Sequence, residues 1–267
     1  MSGEPAGLSA LPRGGGSGRR LFALSDPHLS FARPKPMDIF GPGWENHAVR
    51  LADNWRRLVA RDDIVLIPGD ISWGLRLADA LPDLEWLAAL PGQKALIRGN
   101  HDYWWRSPTK LAALKLPGLH FIQNNHVLLD GVAIGGTRLW DFPFVKWRSG
   151  PDTGRAGPTA DGGGRREDPE KIRAREILRL EASLASLPAS ARLRVALTHY
   201  PPLGENGLAT PLTDHIGGFN IDYCVFGHIH APGLGLRPGA DCRIGPTRYR
   251  LASSDHVGHE PLLLAEV

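Results

Sequence analysis

The stretch Lys94-Ala95-Leu96-Ile97-Arg98-Gly99-Asn100-His101-Asp102 places the tightest constraint on the fold. Its first four residues read as a short buried strand. A glycine then lets the backbone turn sharply, and three polar side chains follow that can bind a metal or move a proton. The same pattern recurs four times: Leu21 to Leu24 runs into Asp26 and His28, Ile64 to Ile67 into Gly69-Asp70, Leu193 to Leu197 into His199, and Tyr223 to Phe226 into Gly227-His228-Ile229-His230. Five apolar runs that each end in a polar tip predict a sheet edge where the tips meet, because ligands of parallel sheets bind at the carboxyl ends of the strands.

The segments between the tips support a parallel sheet. Trp44, Ala48, Leu51, Ala52, Trp55, Leu58 and Val59 recur at helical spacing, as do Leu77, Ala80, Leu81, Leu84, Leu87 and Ala88. Pro82 is expected to kink or restart the second of these helices. The loop from Leu29 to Gly43 carries Pro34, Pro36 and Pro42, which forbid regular helix. The order so far is β-α-β-α-β. From Gly118 the runs shorten to Leu119–Ile122, His126–Leu129 and Val132–Gly135, the last two joined by the hairpin signal Asp130-Gly131. A second, more antiparallel layer is expected there. Asp168-Pro169 reads as an N-cap and first helical residue, opening a helix with Ile177, Leu180, Leu184 and Leu187 on one face. Arg248 to Ala252 and Leu262 to Ala265 are expected to complete the second layer.

With 267 residues, 42% of them hydrophobic, the chain suffices for one domain, expected over residues 21–267. Residues 1–20, rich in Gly, Ser, Pro and Ala, are expected to form a disordered extension, and residues 148–167 a flexible insert. Two cysteines are too few for a disulfide framework and lack zinc spacing; Cys224, leading into an apolar strand, is expected buried and reduced. No apolar run approaches the roughly 20 residues that cross a bilayer, and no apolar signal core stands at the N-terminus, so no membrane association and a cytoplasmic location are expected. The net charge of +3 includes several arginines of the insert, so a nucleic-acid partner is not expected. The sequence sets no oligomeric state.

Singly, these polar tips are common. Read in order, Asp26-x-His28, Gly69-Asp70, Gly99-Asn100-His101-Asp102, His199 and Gly227-His228-x-His230 resemble the calcineurin-like metallophosphoesterases, whose motifs run D-x-H, G-D, G-N-H-D/E, H, G-H-x-H. The likeness covers Leu21 to His230. The longer strings Gly69-Asp70-Ile71-Ser72-Trp73 and Gly99 to Trp105 resemble a bacterial branch of phosphohydrolases without an assigned substrate. The fold that the resemblance implies is an α/β two-sheet sandwich flanked by helices, in four layers α/β/β/α.

The resemblance further implies two divalent ions: Asp26, His28 and His230 holding one, Asn100, His199 and His228 the other, and Asp70 bridging them. A shell of carboxylate, imidazole and amide oxygen suits Mn or Fe, with Zn also compatible. Two such ions clamp a phosphoryl oxygen and activate a bridging water. By the same resemblance His101 would protonate the leaving oxygen and Asp102 would orient it, for cleavage of a phosphomonoester or phosphodiester by a metal-bridging hydroxide. The rival readings are a metal-stabilised module without turnover and a nuclease of the same fold.

Further candidates flank the motifs. Trp73, Trp104 and Trp105 can stack on a substrate or wall a cleft. His47 can reach the substrate or cap its helix. Arg98 and Arg138 match phosphate geometry but also serve as ion-pair partners. His120, His126, His215, His256 and His259 carry no motif and read as structural or exposed. The expected partner is a small phosphorylated molecule.

Overall fold

The computed structural model describes residues 18–147, 168–230 and 239–267. The proposed insert at residues 148–167 lies outside these, as does the proposed extension up to residue 17. Arg20, assigned to that extension from sequence, belongs instead to the first strand. Its backbone N–H and guanidinium both reach the Asp63 carboxylate, at 2.9 and 2.8 Å.

A first sheet is ordered β11-β1-β2-β3-β4. Strands β1 (Arg20–Ala23), β2 (Ile64–Ile67), β3 (Gln93–Leu96) and β4 (Leu119–Phe121) are parallel, and β11 (Leu262–Glu266) pairs antiparallel with β1. A second sheet is ordered β5-β6-β7-β8-β10-β9. Its inner strands β6 (Val132–Thr137), β7 (Leu193–Thr198), β8 (Tyr223–Phe226) and β10 (Thr247–Leu251) are parallel, with β5 (His126–Leu129) and β9 (Asp241–Ile244) antiparallel at the edges.

Two expectations are corrected here. The second layer is parallel at its centre, and both β4 and β11 belong to the first sheet. The Asp130-Gly131 turn does form a hairpin, with φ of 46° and 82°, but that hairpin is only an edge. The β6-to-β7 connection carries the helix α4 (Pro169–Ala185) and returns parallel, as a helical crossover does.

Strand alternation builds the layers. Leu21, Ala23, Ile64, Leu66, Val195, Leu197 and Val225 fill the space between the sheets. Their neighbours Phe22, Val65 and Ile67 face the other way, onto α1 (His47–Leu58) and α2 (Leu77–Ala89), and Ala196, Cys224 and Phe226 pack with residues of α4 and α5 (Pro211–Gly217). The result is an α/β fold of two mixed sheets flanked by helices. Strands buried on both faces read as continuous apolar runs, and these do.

α2 runs through Pro82 without restarting. The ring removes one donor, and the carbonyl it leaves, on exposed Ala78, is open to water. Asp168 caps α4 by accepting the N–H of Glu170 at 3.1 Å, with Pro169 at the first helical position, as the sequence predicts. The short helices α3 (Pro108–Ala112) and α5, and strand β9, have no counterpart in the sequence reading. Both cysteines are free, and Cys224 is buried. Among the described residues no helix is long and apolar enough to cross a membrane.

Candidate metal centre

The polar tips of β1, β2, β3, β7 and β8 do meet at one edge. Asn100 Oδ1 lies 2.6 Å from His199 Nε2 and 2.9 Å from His228 Nδ1, so three donor atoms converge from three loops. Beside them His28 Nε2 and His230 Nε2 stand 3.2 Å apart. Asp70 Oδ2 sits between the two groups, 3.4 Å from His199 Nε2 and 3.9 Å from His28 Nε2. Asp26 Oδ1 lies 3.8 Å from His230 Nε2 and 3.9 Å from His199 Nδ1. Two sets, Asp26-His28-His230 and Asp26-Asp70-His199, have donor atoms all within 4.8 Å of one another.

Local backbone narrows the residue types that four of these positions accept. Asp26, His28, Asp70 and His228 have φ of 56°, 46°, 49° and 70°, the left-handed region that costs an L-residue on the order of 1–2 kcal/mol. Asp, Asn and His tolerate it best. Gly99 has no substitute, since a Cβ there would collide with the Asp70 carboxylate and backbone nitrogen. Gly227 is equally confined, against Ser25 and the Asp26 carboxylate.

A ring of acceptors and donors orients the cluster. His199 Nδ1 is 2.9 Å from the Pro68 carbonyl, which turns Nε2 toward Asn100. His230 Nδ1 is 2.9 Å from Asp255 Oδ1. The Asp26 carboxylate accepts the Ser253 hydroxyl at 3.0 Å and the His228 N–H at 3.1 Å, while Asp70 Oδ1 accepts the His101 N–H at 2.8 Å. Tyr200 packs its ring 4.2 Å from that of His228. Asp255, Ser253 and Tyr200 were not singled out as site residues from sequence. Yet Ser253-Ser254-Asp255 follows β10, and the strand-then-polar-tip pattern could have found it.

Charge follows the same geometry. Burial works against the Asp70 carboxylate, but the imidazoles of His199, His101 and His28 hold it well below the ordinary range. Burial pushes His28 and His228 well down, which keeps their lone pairs available. Burial also opposes protonation of His230, yet Asp255 and Asp26 lift it to about 9. Imidazole nitrogens facing one another and two carboxylates in a water-poor pocket offer converging lone pairs once His230, and His199, whose pKa is also raised, give up their protons, as metal binding requires. Divalent cations satisfy such a set, and the residues fit them.

The remaining candidates divide. His101 lies at the rim, its ring 4.4 Å from Trp73 and 5.8 Å from His28; Trp73 in turn stacks on His28 at 4.8 Å. Asp102 does not orient His101, a correction to the expectation. It is fully buried and accepts the N–H groups of Ile71, Ser72 and Gly99 and the Trp104 indole, at 2.9, 3.1, 2.7 and 2.9 Å. Trp104 is likewise fully buried and offers no face to a substrate, and Trp105 is buried with its indole on Gln123. His47 packs on Trp44 and His259, with Nε2 buried, and belongs to the wall rather than the opening. His259, read as structural or exposed, is a buried part of the same wall. Arg98 donates from Nε to the Asp102 carbonyl at 3.2 Å and lines a neighbouring cavity with Arg138.

Fold and donor set together define an α/β sandwich with a candidate two-metal centre at the carboxyl ends of its strands. The family model for calcineurin-like phosphoesterases matches residues 19–232, and the chain belongs to that family. It is similar to the Gene 66 proteins of Mycobacterium phages D29 and L5, 36% identical to each, over 47% and 45% of this chain. The matches take in 64% and 62% of those relatives' own length. Among solved structures it shares its fold with the phosphopantetheinyl hydrolase PptH of Mycobacterium tuberculosis, at 16% identity and a TM-score of 0.56, covering 91% of this chain and 92% of that one.

Proposed function

We propose that this chain is a dinuclear metal-dependent phosphohydrolase that cleaves a small phosphomonoester or phosphodiester in the cytoplasm. Family membership implies metal-dependent phosphoester hydrolysis. The observation that carries the finer reading is the approach of Asn100 Oδ1 to His199 Nε2 and His228 Nδ1, at 2.6 and 2.9 Å, beside the Asp26, His28, His230 cluster and with Asp70 between the two groups. We assign Asp26, His28 and His230 to one ion, Asn100, His199 and His228 to the other, and Asp70 to both, with Mn or Fe as the matching metals and Zn compatible. Bound there, the ions supply Lewis-acid charge for the phosphoryl oxygens and lower the pKa of water toward about 7.

The chain's own groups do the rest. His101, at the rim and held by its N–H on Asp70, donates a proton from its ring to the leaving oxygen. Asp102 fixes the loop rather than the proton. Trp73 walls the opening, its ring stacked on His28 with the Lys35 ammonium over it and its N–H on Met37 Sδ. We also assign the chain to the bacterial phosphohydrolase branch, a reading supported by the resemblance of the strings Gly69 to Trp73 and Gly99 to Trp105. We further assign residues 20–267 to one domain, its start moved from Leu21 to the first residue of β1, and name a small phosphorylated molecule as partner, without nucleic acid or membrane.

Hydrolysis of p-nitrophenyl phosphate and its bis-ester by the Mn-supplemented chain tests this reading. Turnover that His101→Ala abolishes while metal content persists is expected. Two bound metals with no turnover on either ester would favour the non-catalytic module, and steep salt dependence of RNA or DNA binding would favour the nuclease.

A further inference from the structure

A second polar cavity, of about 80 Å³, lies beside the metal centre and is built from other side chains. Arg98 follows β3, Gln123 follows β4, Thr137 ends β6 and Arg138 follows it, so two further strand ends join that of β3; Glu176 and Arg179 of α4 close it. A water molecule occupies about 30 Å³ of liquid, so the space accommodates a small tetrahedral anion.

The charges inside are unequal. Glu176 is 1% exposed, and its carboxylate already accepts Arg179 Nη1 at 2.6 Å and the Thr137 hydroxyl at 2.7 Å. Arg138 reaches it only at 3.9 Å, although its own side chain is just 10% exposed. A guanidinium so far out of water favours a close anionic partner, and Glu176, the one carboxylate lining the cavity among the described residues, holds Arg179 and Thr137 more closely. Its plane is already fixed, with Cζ 4.7 Å from the Trp140 ring centroid, which leaves the donor fork oriented. Gln123 accepts the Trp105 indole N–H with Oε1 at 2.9 Å, so its amide NH₂ remains as a neutral donor on the wall.

We propose that this cavity binds a small phosphate-type oxyanion through Arg138, Arg179 and the Gln123 amide, as a site separate from the metal centre. Its occupant would steady the loop that follows β7, because the Arg138 carbonyl accepts the N–H groups of His199 and Tyr200 at 3.2 and 3.0 Å. Anion binding in this cavity requires neither a bound metal nor hydrolysis.

Calorimetric titration of the full chain with inorganic phosphate, Mn-loaded and after chelation, tests it. The chelated chain is expected to retain one phosphate site, weakened at least about tenfold in Arg138→Met and in Arg179→Met, since each removes a charge-assisted hydrogen bond. Arg179→Met keeps the test decisive if Arg138→Met does not fold, because the Arg179 side chain is 37% exposed. Asp70→Asn is expected to leave the site intact. Absence of phosphate binding after chelation, or wild-type affinity in both arginine variants, would overturn the proposal.

Discussion

Asp102 Oδ1 accepts the backbone N–H of Ile71 at 2.9 Å, across 31 residues of chain. Together with the N–H groups of Ser72 and Gly99, this bond ties the loop that carries Asp70 to the loop that carries Asn100. An asparagine at position 102 would present an NH₂ to at least one of these donors. Asp102→Asn is therefore expected to weaken Mn²⁺ binding by roughly 10- to 100-fold. His101→Ala should leave it unchanged. Wild-type metal affinity with only a displaced pH profile would instead restore Asp102 to the role of orienting His101.

The contact of Gly99 with Asp70 leads to a second prediction. Gly99→Ala drives a methyl group into a carboxylate held by neighbouring backbone, so either strand β3 or Asp70 must shift. A loss of roughly 3 kcal/mol or more in unfolding free energy is expected by urea denaturation. Gly43→Ala, with open space around the added Cβ, is the control and should stay within about 0.5 kcal/mol.

Asp255 holds the far nitrogen of His230, and removing it frees the ring to turn. Asp255→Ala should lower metal affinity by roughly 10- to 100-fold while changing the circular dichroism spectrum little. Retention of wild-type affinity would mean that packing alone fixes the ring.

Lys94 is 1% exposed on β3, where its ammonium donates to the carbonyls of Ala88 in the last turn of α2 and of Leu90 just past it. Burial lowers its pKa from 10.5 to about 8. Below about pH 8 both folded and unfolded chains hold the proton, and the burial penalty is present in full. Between about 8 and 10.5 the folded chain releases the proton first, so this group's contribution to stability improves as pH rises. Comparison with Lys94→Met cancels other titrations. The wild type should gain on the variant by roughly 3 kcal/mol between pH 7.5 and 10.5, one pKa unit being worth about 1.4 kcal/mol. A flat difference across that range would show that Lys94 keeps its charge when folded.

The seven candidate ligands were legible because chemistry and position coincide in them: a two-face-buried strand reads as an apolar run, and the residue after it lands at the sheet edge. Asp102 misled because one sequence position serves either a neighbouring imidazole or distant backbone, and only the closing of the loop decides. Trp104 misled for the same reason, since its indole is used on Asp102. Sheet membership of Leu262–Glu266 was not legible either. Its pairing with β1 spans nearly the whole chain, and no local pattern records such a partner. The Ser253-Ser254-Asp255 tip obeyed the strand rule but lacked a metal-binding motif, and so went unnoticed.

Four of the donors occupy a backbone handedness that most amino acids refuse. Substitution at Asp26, His28, Asp70 or His228 must then pass two unrelated filters, one for the lone pair offered and one for the turn of the main chain. Glutamate for aspartate or cysteine for histidine keeps a ligand atom yet fails the second filter, so chemically conservative exchanges at these places should be as damaging as alanine.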